Sequence, residues 1–336
     1  MSERSDLLKS IASTIKDYRQ GEVSAPTPEH VDRWVKQFDE KVQLPLLREL
    51  DHVLKTTYRT KARVSKFLSK LVKNKDLAGP DPCSFWSRAH FLRIQQNGHS
   101  QEEMLELFGE CLKNECGIKV SDCGKEGGDY IYIDDVIFSG NRVGNDLEAW
   151  IKNDAPTKAK VHVIVAVFHT MGDYFVEKRL YKAIKDSGKK IEITYWRAHE
   201  VENRKSYKDD SEVLWPTTIP DDPAVKAYAA QPHKFPFEPR NPGGKLGPFS
   251  SEEGRQLLER ELLIAGVAIR NFSQNPKDIL RPLGFSPFGL GFGSMIVTFR
   301  NCPNNCPLAL WWGDPHADPD HPFSKWYPLL PRKTYE

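Results

Sequence analysis

The sequence has little cysteine, little methionine and almost no net charge. Six Cys and four Met occur in 336 residues, and 48 Lys+Arg stand against 46 Asp+Glu, a formal charge of +2. The cysteines (Cys83, Cys111, Cys116, Cys123, Cys302 and Cys306) are too few for a disulfide framework at this length. They are expected as reduced thiols in a cytoplasmic protein. A charge this close to balance excludes a global field for nucleic acid, so any such footprint must be a local patch. No run approaches the roughly 20 apolar residues that a membrane helix needs. The N-terminus, MSERSDLLKS, has no apolar signal core, and no membrane partner is expected. Repeats and long low-complexity tracts are also missing. What remains is ordinary globular composition, 39% hydrophobic and 28% charged, long enough for about two domains.

Along the chain, the spacing predicts a short helix over 6–19, then a helix from Pro28 carrying Val31, Trp34, Val35 and Phe38. Further helices follow over 44–57 and around Val64, Phe67, Leu68 and Leu71, an i, i+3, i+4, i+7 stripe. Between Leu54 and Lys75 there are eight Lys/Arg and no acid. The stretch AGPDPC (78–83) breaks the pattern. Strands and helices then alternate: a strand over 89–94, a helix opened by a Ser100/Glu103 capping box, a strand at 130–136, a helix at 141–152. The apolar run VHVIVAVF (161–168) reads as a strand covered on both faces, followed by a helix over 174–185 and a strand over 191–196. This order implies βαβ units and a parallel sheet. From about Val201 the pattern changes again. A Pro/Gly-rich covering loop over 215–248 is followed by a helix over 251–271 and one short strand, 295–299, in an aromatic tail.

The segment YIYIDDVIFSGNRVG (130–144) carries the chemistry. Ile131 and Ile133 anchor a strand whose carboxyl end bears Asp134 and Asp135, where open α/β sheets place ligands. Ser139, Gly140 and Asn141 then open a helix, so backbone N–H groups and the helix dipole converge on one spot that favours phosphate. Paired carboxylates above it suit ribose hydroxyls, or a Mg²⁺ ion bridged to a diphosphate. A bland reading, a strand-end turn with solvated acids, stands beside this one. After the first strand, Gln95, Gln96, Asn97, Gly98, His99 and Ser100 form a short polar loop that also opens a helix and could hold an anion.

IYIDDVIFSGNRV resembles the phosphoribosyl-diphosphate (PRPP) loop of type I phosphoribosyltransferases: an apolar run, two acids, a spacer, then Thr/Ser-Gly. The resemblance implies that Asp134 and Asp135 are the catalytic carboxylates, meeting the ribose hydroxyls and Mg²⁺. It implies that Val136, Ile137, Phe138, Ser139, Gly140, Asn141 and Arg142 wrap the 5-phosphate, and that Asn97, Gly98, His99 and Ser100 hold pyrophosphate. The family usually has a second Thr/Ser where Arg142 stands and often a Thr where Phe138 stands. The WxxxF of Trp34–Phe38, the DDVIFSGN loop, TFRNCPNNCPLALWW (298–312) and WYPLLPR (326–332) resemble, more narrowly, the PRTase-CE type phosphoribosyltransferase-like proteins of bacterial conflict systems, which include effector partners of retron reverse transcriptases.

The expected fold is therefore α/β, a type I phosphoribosyltransferase-like parallel sheet core (79–205). A helical N-terminal region (1–78) precedes it, and a C-terminal extension (206–336) is expected to fold over the core as a hood. The resemblance implies an antiphage defence effector that binds PRPP or a nucleotide and acts on nucleotides or nucleic acid by glycosyl transfer. Two alternatives stay open: an inactive ribose-phosphate sensor, and a module that docks a reverse transcriptase–DNA complex, or another defence-system protein, through 55–75. Cys302 and Cys306, spaced CxxxC, are read as buried thiols rather than a metal site, Asn304 and Asn305 as a turn that could also cap the cleft, and Trp311 and Trp312 as core.

Overall fold

The computed structural model describes residues 2–332 apart from Asn97 and Glu126. They group into two compact units: Lys61–Asn203, and a second unit that joins the residues up to Thr60 with those from Arg204 onward.

The chain opens in the second of these with α1 (Glu3–Thr14), α2 (Pro28–Val35) and α3 (Glu40–Thr57). Side-chain oxygens of Ser2, Thr27 and Asp39 accept first-turn N–H groups that would otherwise lack partners. A two-residue strand, β1 (Tyr58–Arg59), follows. The expected stripe Val31, Trp34, Val35 and Phe38 is buried throughout.

The other unit runs α4 (Lys61–Val72), α5 (Lys75–Ala78), α6 (Pro82–Arg88), β2 (His90–Phe91), α7 (Ser100–Cys116), β3 (Tyr130–Ile137), α8 (Asn141–Asn153), β4 (Lys158–His169), α9 (Thr170–Ser187) and β5 (Lys190–Val201). The four strands form one all-parallel sheet in the order β2-β3-β4-β5, so the mixed α/β class and parallel sheet read from the sequence are present. β4 is continuously buried from Val161 to His169 because the sheet covers it on both sides and helices cover its faces. On one face Tyr132, Val163 and Val165 pack with Val143, Leu147 and Trp150 of α8 and Val176 and Leu180 of α9. Each such burial contributes about 1.5–3 kcal/mol. A second cluster stacks Trp86 of α6 on Phe91 of β2, with Phe108 of α7 edge-on. The Trp86 Nε1–H donates to the Val72 carbonyl (2.8 Å), which fastens α6 to α4. The AGPDPC break therefore lies inside this unit, between α5 and α6. On α4 the cations Lys61, Arg63, Lys66 and Lys70 are exposed, opposite buried Val64, Leu68 and Leu71.

One expectation fails here. Cys83, in the first turn of α6, and Cys116, the last residue of α7, are joined by a disulfide with Cα atoms 5.5 Å apart. Six reduced thiols were expected; Cys111, Cys123, Cys302 and Cys306 are the four that remain free. Spacing could not show that these two helix ends meet.

The second unit resumes with α10 (Pro223–Ala229), α11 (Glu252–Arg270), β6 (Val297–Thr298) and α12 (Leu308–Trp311). β6 pairs in parallel with β1, with Tyr58 opposite Val297, so the strand expected over 295–299 shrinks to two residues. The tail closes against the N-terminal helices. Trp34 and Trp326 both donate their indole N–H to the Ala309 carbonyl (2.8 and 2.9 Å). The Tyr18 hydroxyl donates to the Pro331 carbonyl (2.9 Å) and accepts the Cys302 N–H (3.0 Å). Trp311, Trp312, Cys302 and Cys306 are buried in this core.

The Cys83–Cys116 link closes a segment of sequence separation 33. On the chain-entropy account, Cys116→Ser should lower the stability of the Lys61–Asn203 unit by about 3–4 kcal/mol under oxidising conditions. Urea denaturation with and without dithiothreitol checks this. Parent and variant should converge in reductant, and equal midpoints under oxidising conditions would show that the bond contributes nothing.

Candidate functional site

β3 ends in the sheet at Ile137, and only Phe138, Ser139 and Gly140 separate it from α8. Gly140 has φ 77°, in the left-handed region, and forms the N-cap of α8 without any side-chain cap. The Ser139 hydroxyl lies 3.5 Å from the Asn141 N–H. The first turn of α8 thus presents backbone N–H groups at the carboxyl end of the sheet, the positive end of the helix dipole. The loop is held from behind by the start of α9. A Cβ at Gly172 would fall 1.9 Å from the Phe138 carbonyl oxygen, and one at Gly140 would fall 2.3 Å from Val176 Cγ2 and 2.6 Å from the Gly172 oxygen. His169, fully buried at the end of β4, places Nδ1 3.0 Å from the Ile137 carbonyl, and its ring packs 4.9 Å from the Phe138 ring. Burial pushes the His169 imidazole down to about 3, so it is neutral, and Nδ1–H is the donor to that carbonyl.

The neighbouring strand builds the second loop. α7 begins at Ser100 with His99 as its N-cap, again with no side-chain cap. The Ser100/Glu103 capping box expected from the sequence does not form, because Ser100 lies inside the helix and its hydroxyl is used elsewhere. It accepts from Gln95 Nε2 (2.8 Å) and from Arg142 Nη1 (3.0 Å), and it hydrogen-bonds the Asp134 carboxylate. Gln101 Oε1 accepts the N–H groups of Ile94 and Gln95 (2.8 and 3.1 Å), while Gln95 Oε1 accepts the Gln101 N–H (2.9 Å). On α8, Asp146 accepts the Tyr132 hydroxyl (2.9 Å) and the Gln96 N–H (3.3 Å). Two adjacent strands therefore each feed an uncapped helix, and Arg142–Ser100 and Asp146–Gln96 tie the two loops together.

The carboxylates are unlike each other. Asp134 is 2% exposed. Burial and the neighbouring Asp135 raise its carboxyl to about 7, against the pull of Ser100 and Arg142. Asp135 is partly exposed and accepts the N–H of Val136 (2.9 Å). Asp146 is also held above the usual carboxylate range by burial.

Of the residues singled out from the sequence, Phe138, Ser139, Gly140, Asn141, Arg142, Gly98, His99 and Ser100 fall on these two loops or in the first turns of their helices, and Asp134 and Asp135 lie within β3, two residues short of its end. Val136 and Ile137 have buried side chains in β3 and offer only backbone to the cleft. Asn97 lies outside the described residues. Sequence reasoning passed over Asp146, Gln101, His169 and Gly172, and it read Gln95 as part of an anion-holding loop rather than as a partner of Ser100 and Gln101. Asp146 left a trace, since it sits on the apolar stripe Val143, Leu147, Trp150, where a charge is out of place. Gln101 left none. Among the described residues no cluster of three or more His, Cys, Asp or Glu could hold a metal ion. Asp134 and Asp135 are a pair, fewer than such a cluster, and one or two carboxylates are what Mg²⁺ takes from a protein when substrate phosphates complete its shell. Asn305 donates Nδ2–H to the Phe285 carbonyl (3.0 Å) and Asn304 accepts the Phe285 N–H (2.7 Å), so the CPNNCP segment makes a turn in its own unit.

A family model described as PRTase-CE matches residues 31–332. No curated protein and no solved structure matches the chain. No helix among the described residues is long and apolar enough to cross a membrane.

Ala in place of Gly inside a helix ordinarily stabilises by about 0.4–1 kcal/mol. Gly172→Ala should instead cost about 1–3 kcal/mol, because its Cβ meets the Phe138 carbonyl. Gly144→Ala, whose Cβ meets only the flexible Arg179 side chain at 3.2 Å, is the control and should be neutral or stabilising. Thermal melts that rank the two variants the other way would refute the clamp. A carboxyl with a raised folded-state pKa costs stability progressively as pH rises from its ordinary 3.8 to about 7, and in full above that. In metal-free buffer Asp134→Asn should melt above the parent at pH 8, by the equivalent of about 1 kcal/mol or more, and the gap should close toward pH 4. A gap that is absent or independent of pH would contradict the burial of this charge.

Proposed function

The chain belongs to the PRTase-CE family and carries a phosphoribosyltransferase-like domain, and from that premise we propose that the β3–α8 loop binds the 5-phosphate of a ribose 5-phosphate ligand, PRPP or a nucleotide. One observation carries the proposal. A left-handed glycine opens α8 without a side-chain cap, at the carboxyl end of a strand that carries two aspartates just before its last two residues. The free N–H groups and dipole of α8 suit a phosphate. Ser139 and Gly140 let it approach the backbone, and Asp134 and Asp135 stand where ribose hydroxyls would follow.

The chemistry that fits is displacement at the anomeric carbon through an oxocarbenium-like state. The bond to the leaving group, pyrophosphate or a base, breaks as an acceptor bonds to C1. The protein's share is positioning and charge stabilisation. Asp135, the more exposed acid, would orient the ribose and face positive charge developing on the ring. Asp134, able to take a proton near neutrality, would accept from a hydroxyl when ionised and donate when protonated. Asp134 and Asp135 would hold Mg²⁺, which would offset the diphosphate charge. Arg142 and the start of α7 would meet the remaining phosphate oxygens.

The sensor reading has its own support. Phe138 packs on His169 where many transferases have a hydroxyl, and Arg142 already has a partner in Ser100. Such a loop can hold a ligand without turning it over. The narrower sequence resemblance adds the biological part of the proposal, an antiphage effector of the retron type.

Isothermal titration with PRPP plus Mg²⁺, and with common nucleotides, tests the pocket. At least one should bind, and Asp135→Asn should weaken it by about tenfold or more, roughly 1.4 kcal/mol. Chromatography of the same mixtures separates enzyme from sensor by the presence or absence of released pyrophosphate or free base. If no ribose phosphate binds, and cells carrying Asp134→Asn/Asp135→Asn resist phage as the parent does, the proposal is wrong.

A further inference from the structure

The unit built from Arg204 onward contains a cavity of about 160 Å³ to which none of the residues above contributes. Three chain segments wall it. Lys205 and Trp215 come from the first, Phe235 and Phe237 from the second, and Phe288 and Leu290 from the third. The segments are fixed to one another by backbone bonds from Gly289 N–H to the Phe235 carbonyl (3.0 Å) and from Leu214 N–H to the Gly293 carbonyl (2.8 Å). Leu214, Trp215 and Leu290 are buried, while Phe235 is 38% exposed and marks the mouth. Phe235 and Phe288 pack with centroids 4.8 Å apart.

Charge around the cavity does not balance. Behind Trp215, Arg240 and Arg255 are fully buried and share Glu259, with Nη2–Oε2 3.3 Å and Nε–Oε1 2.9 Å, and Arg240 also pairs with Glu252 (3.0 Å). Glu259 additionally accepts the Trp215 backbone N–H (2.9 Å) and the Trp215 carbonyl accepts from Arg240 Nε (3.0 Å), so the network fixes the Trp215 backbone, while the indole Nε1–H donates to the Glu238 carbonyl (2.6 Å). Two guanidinium groups thus use both carboxylates. Lys205 is the third cation, and its ammonium lies 4.0 Å from the Trp215 ring centroid without a hydrogen bond or ion pair among the described residues. At the rim, Glu238 is already paired with Lys208 (3.5 Å). Burial lowers the Lys205 amine to about 8, with Glu259 and Glu238 pulling upward and Arg255 downward, which leaves it mostly charged at neutrality.

We propose that this cavity is a binding site for a small aromatic carboxylate, whose ring lies among Trp215, Phe235, Phe237 and Phe288 and whose carboxylate pairs with the Lys205 ammonium. Each part of the ligand class follows from the walls. A volume below the roughly 300–1,000 Å³ of common ligand pockets admits one ring system and excludes a nucleotide. Aromatic walls favour a flat apolar body. One uncompensated cation matches a monoanion, whereas a phosphate dianion would leave one charge desolvated and unpaired. The indole beneath the ammonium holds the cation in place and does not neutralise it.

Benzoate and nicotinate are the probes, with benzamide and nicotinamide as neutral isosteres and phenyl phosphate as the dianion. Binding is measured on the full chain by titration calorimetry and saturation-transfer NMR. Both acids should saturate, and both amides and phenyl phosphate should bind at least about tenfold more weakly. Lys205→Met, which keeps an unbranched apolar stem and removes the charge, should weaken the acids by a similar factor. Asp135→Asn should leave them unchanged, which separates this site from the ribose-phosphate loop. The proposal is overturned if the amides match the acids, if neither acid saturates up to its solubility, or if Lys205→Met binds the acids as the parent does. Should Lys205→Met fail to fold, the comparison of acid with amide on the parent protein decides alone.

Discussion

The geometry of the β3–α8 loop depends on the absence of two β-carbons. Gly172, in the first turn of α9, and Gly140, at the start of α8, let the two backbones meet at a distance that no other residue allows. His169 completes the grip by donating to the last carbonyl of β3. The contact fixes where β3 ends and therefore where α8 begins. It also fixes the direction in which the free N–H groups of α8 point. A loop of three residues between a strand and a helix has little freedom left once its carbonyl side is pinned. The direction of those N–H groups is a consequence of packing between α8 and α9 rather than of the loop's own composition.

Held this way, the strand places Asp134 inside the protein, and that placement is costly. A carboxylate stripped of water and set beside a second acid is less stable than the asparagine that would fit the same space. The surroundings offset only part of the cost, through the Ser100 hydroxyl and the Arg142 guanidinium. Asp146 repeats the pattern on α8 with the Tyr132 hydroxyl and the Gln96 N–H as partners. Stability alone accounts for neither acid. Asp146 positions the β2–α7 loop through the Gln96 N–H, and Asp134 is the acid on which the proposed ligand chemistry rests.

Local pattern made the sheet legible. The continuous apolar run of β4 and the apolar stripe of α4 each depend on neighbours within a few residues, and the Ser-Gly after the acid pair could be placed at a strand-to-helix turn for the same reason. What was not legible depends on distant partners. The capping box failed because Ser100 turns toward Asp134 and Arg142, more than thirty residues away in sequence. The disulfide was missed because nothing near Cys83 says that the end of α7 lies opposite. The grouping of the first helices with the tail rests on Trp34 reaching Ala309 and Tyr18 reaching Pro331. Gln95 and Gln101 are ordinary polar residues in the sequence, and only their mutual hydrogen bonds make them the frame of a loop.

The two departures from the transferase loop have physical roles that differ in kind. Phe138 cannot hydrogen-bond a phosphate, but its ring packs on His169 and its carbonyl abuts Gly172, so it contributes to the clamp and not to recognition. Arg142 replaces a short hydroxyl with a cation long enough to reach the neighbouring loop, where it meets Ser100 beside Asp134. A hydroxyl at that position would be too short to reach Ser100 and would leave Asp146–Gln96 to tie the loops. The guanidinium couples them and lowers the cost of ionising Asp134, and its remaining donors suit an incoming anion. An anion that drew Arg142 toward itself would weaken its hold on Ser100 and raise the proton affinity of Asp134. If phosphate binds as proposed, its occupancy and the protonation of the buried acid would be linked through Arg142, a link that the usual hydroxyl could not make.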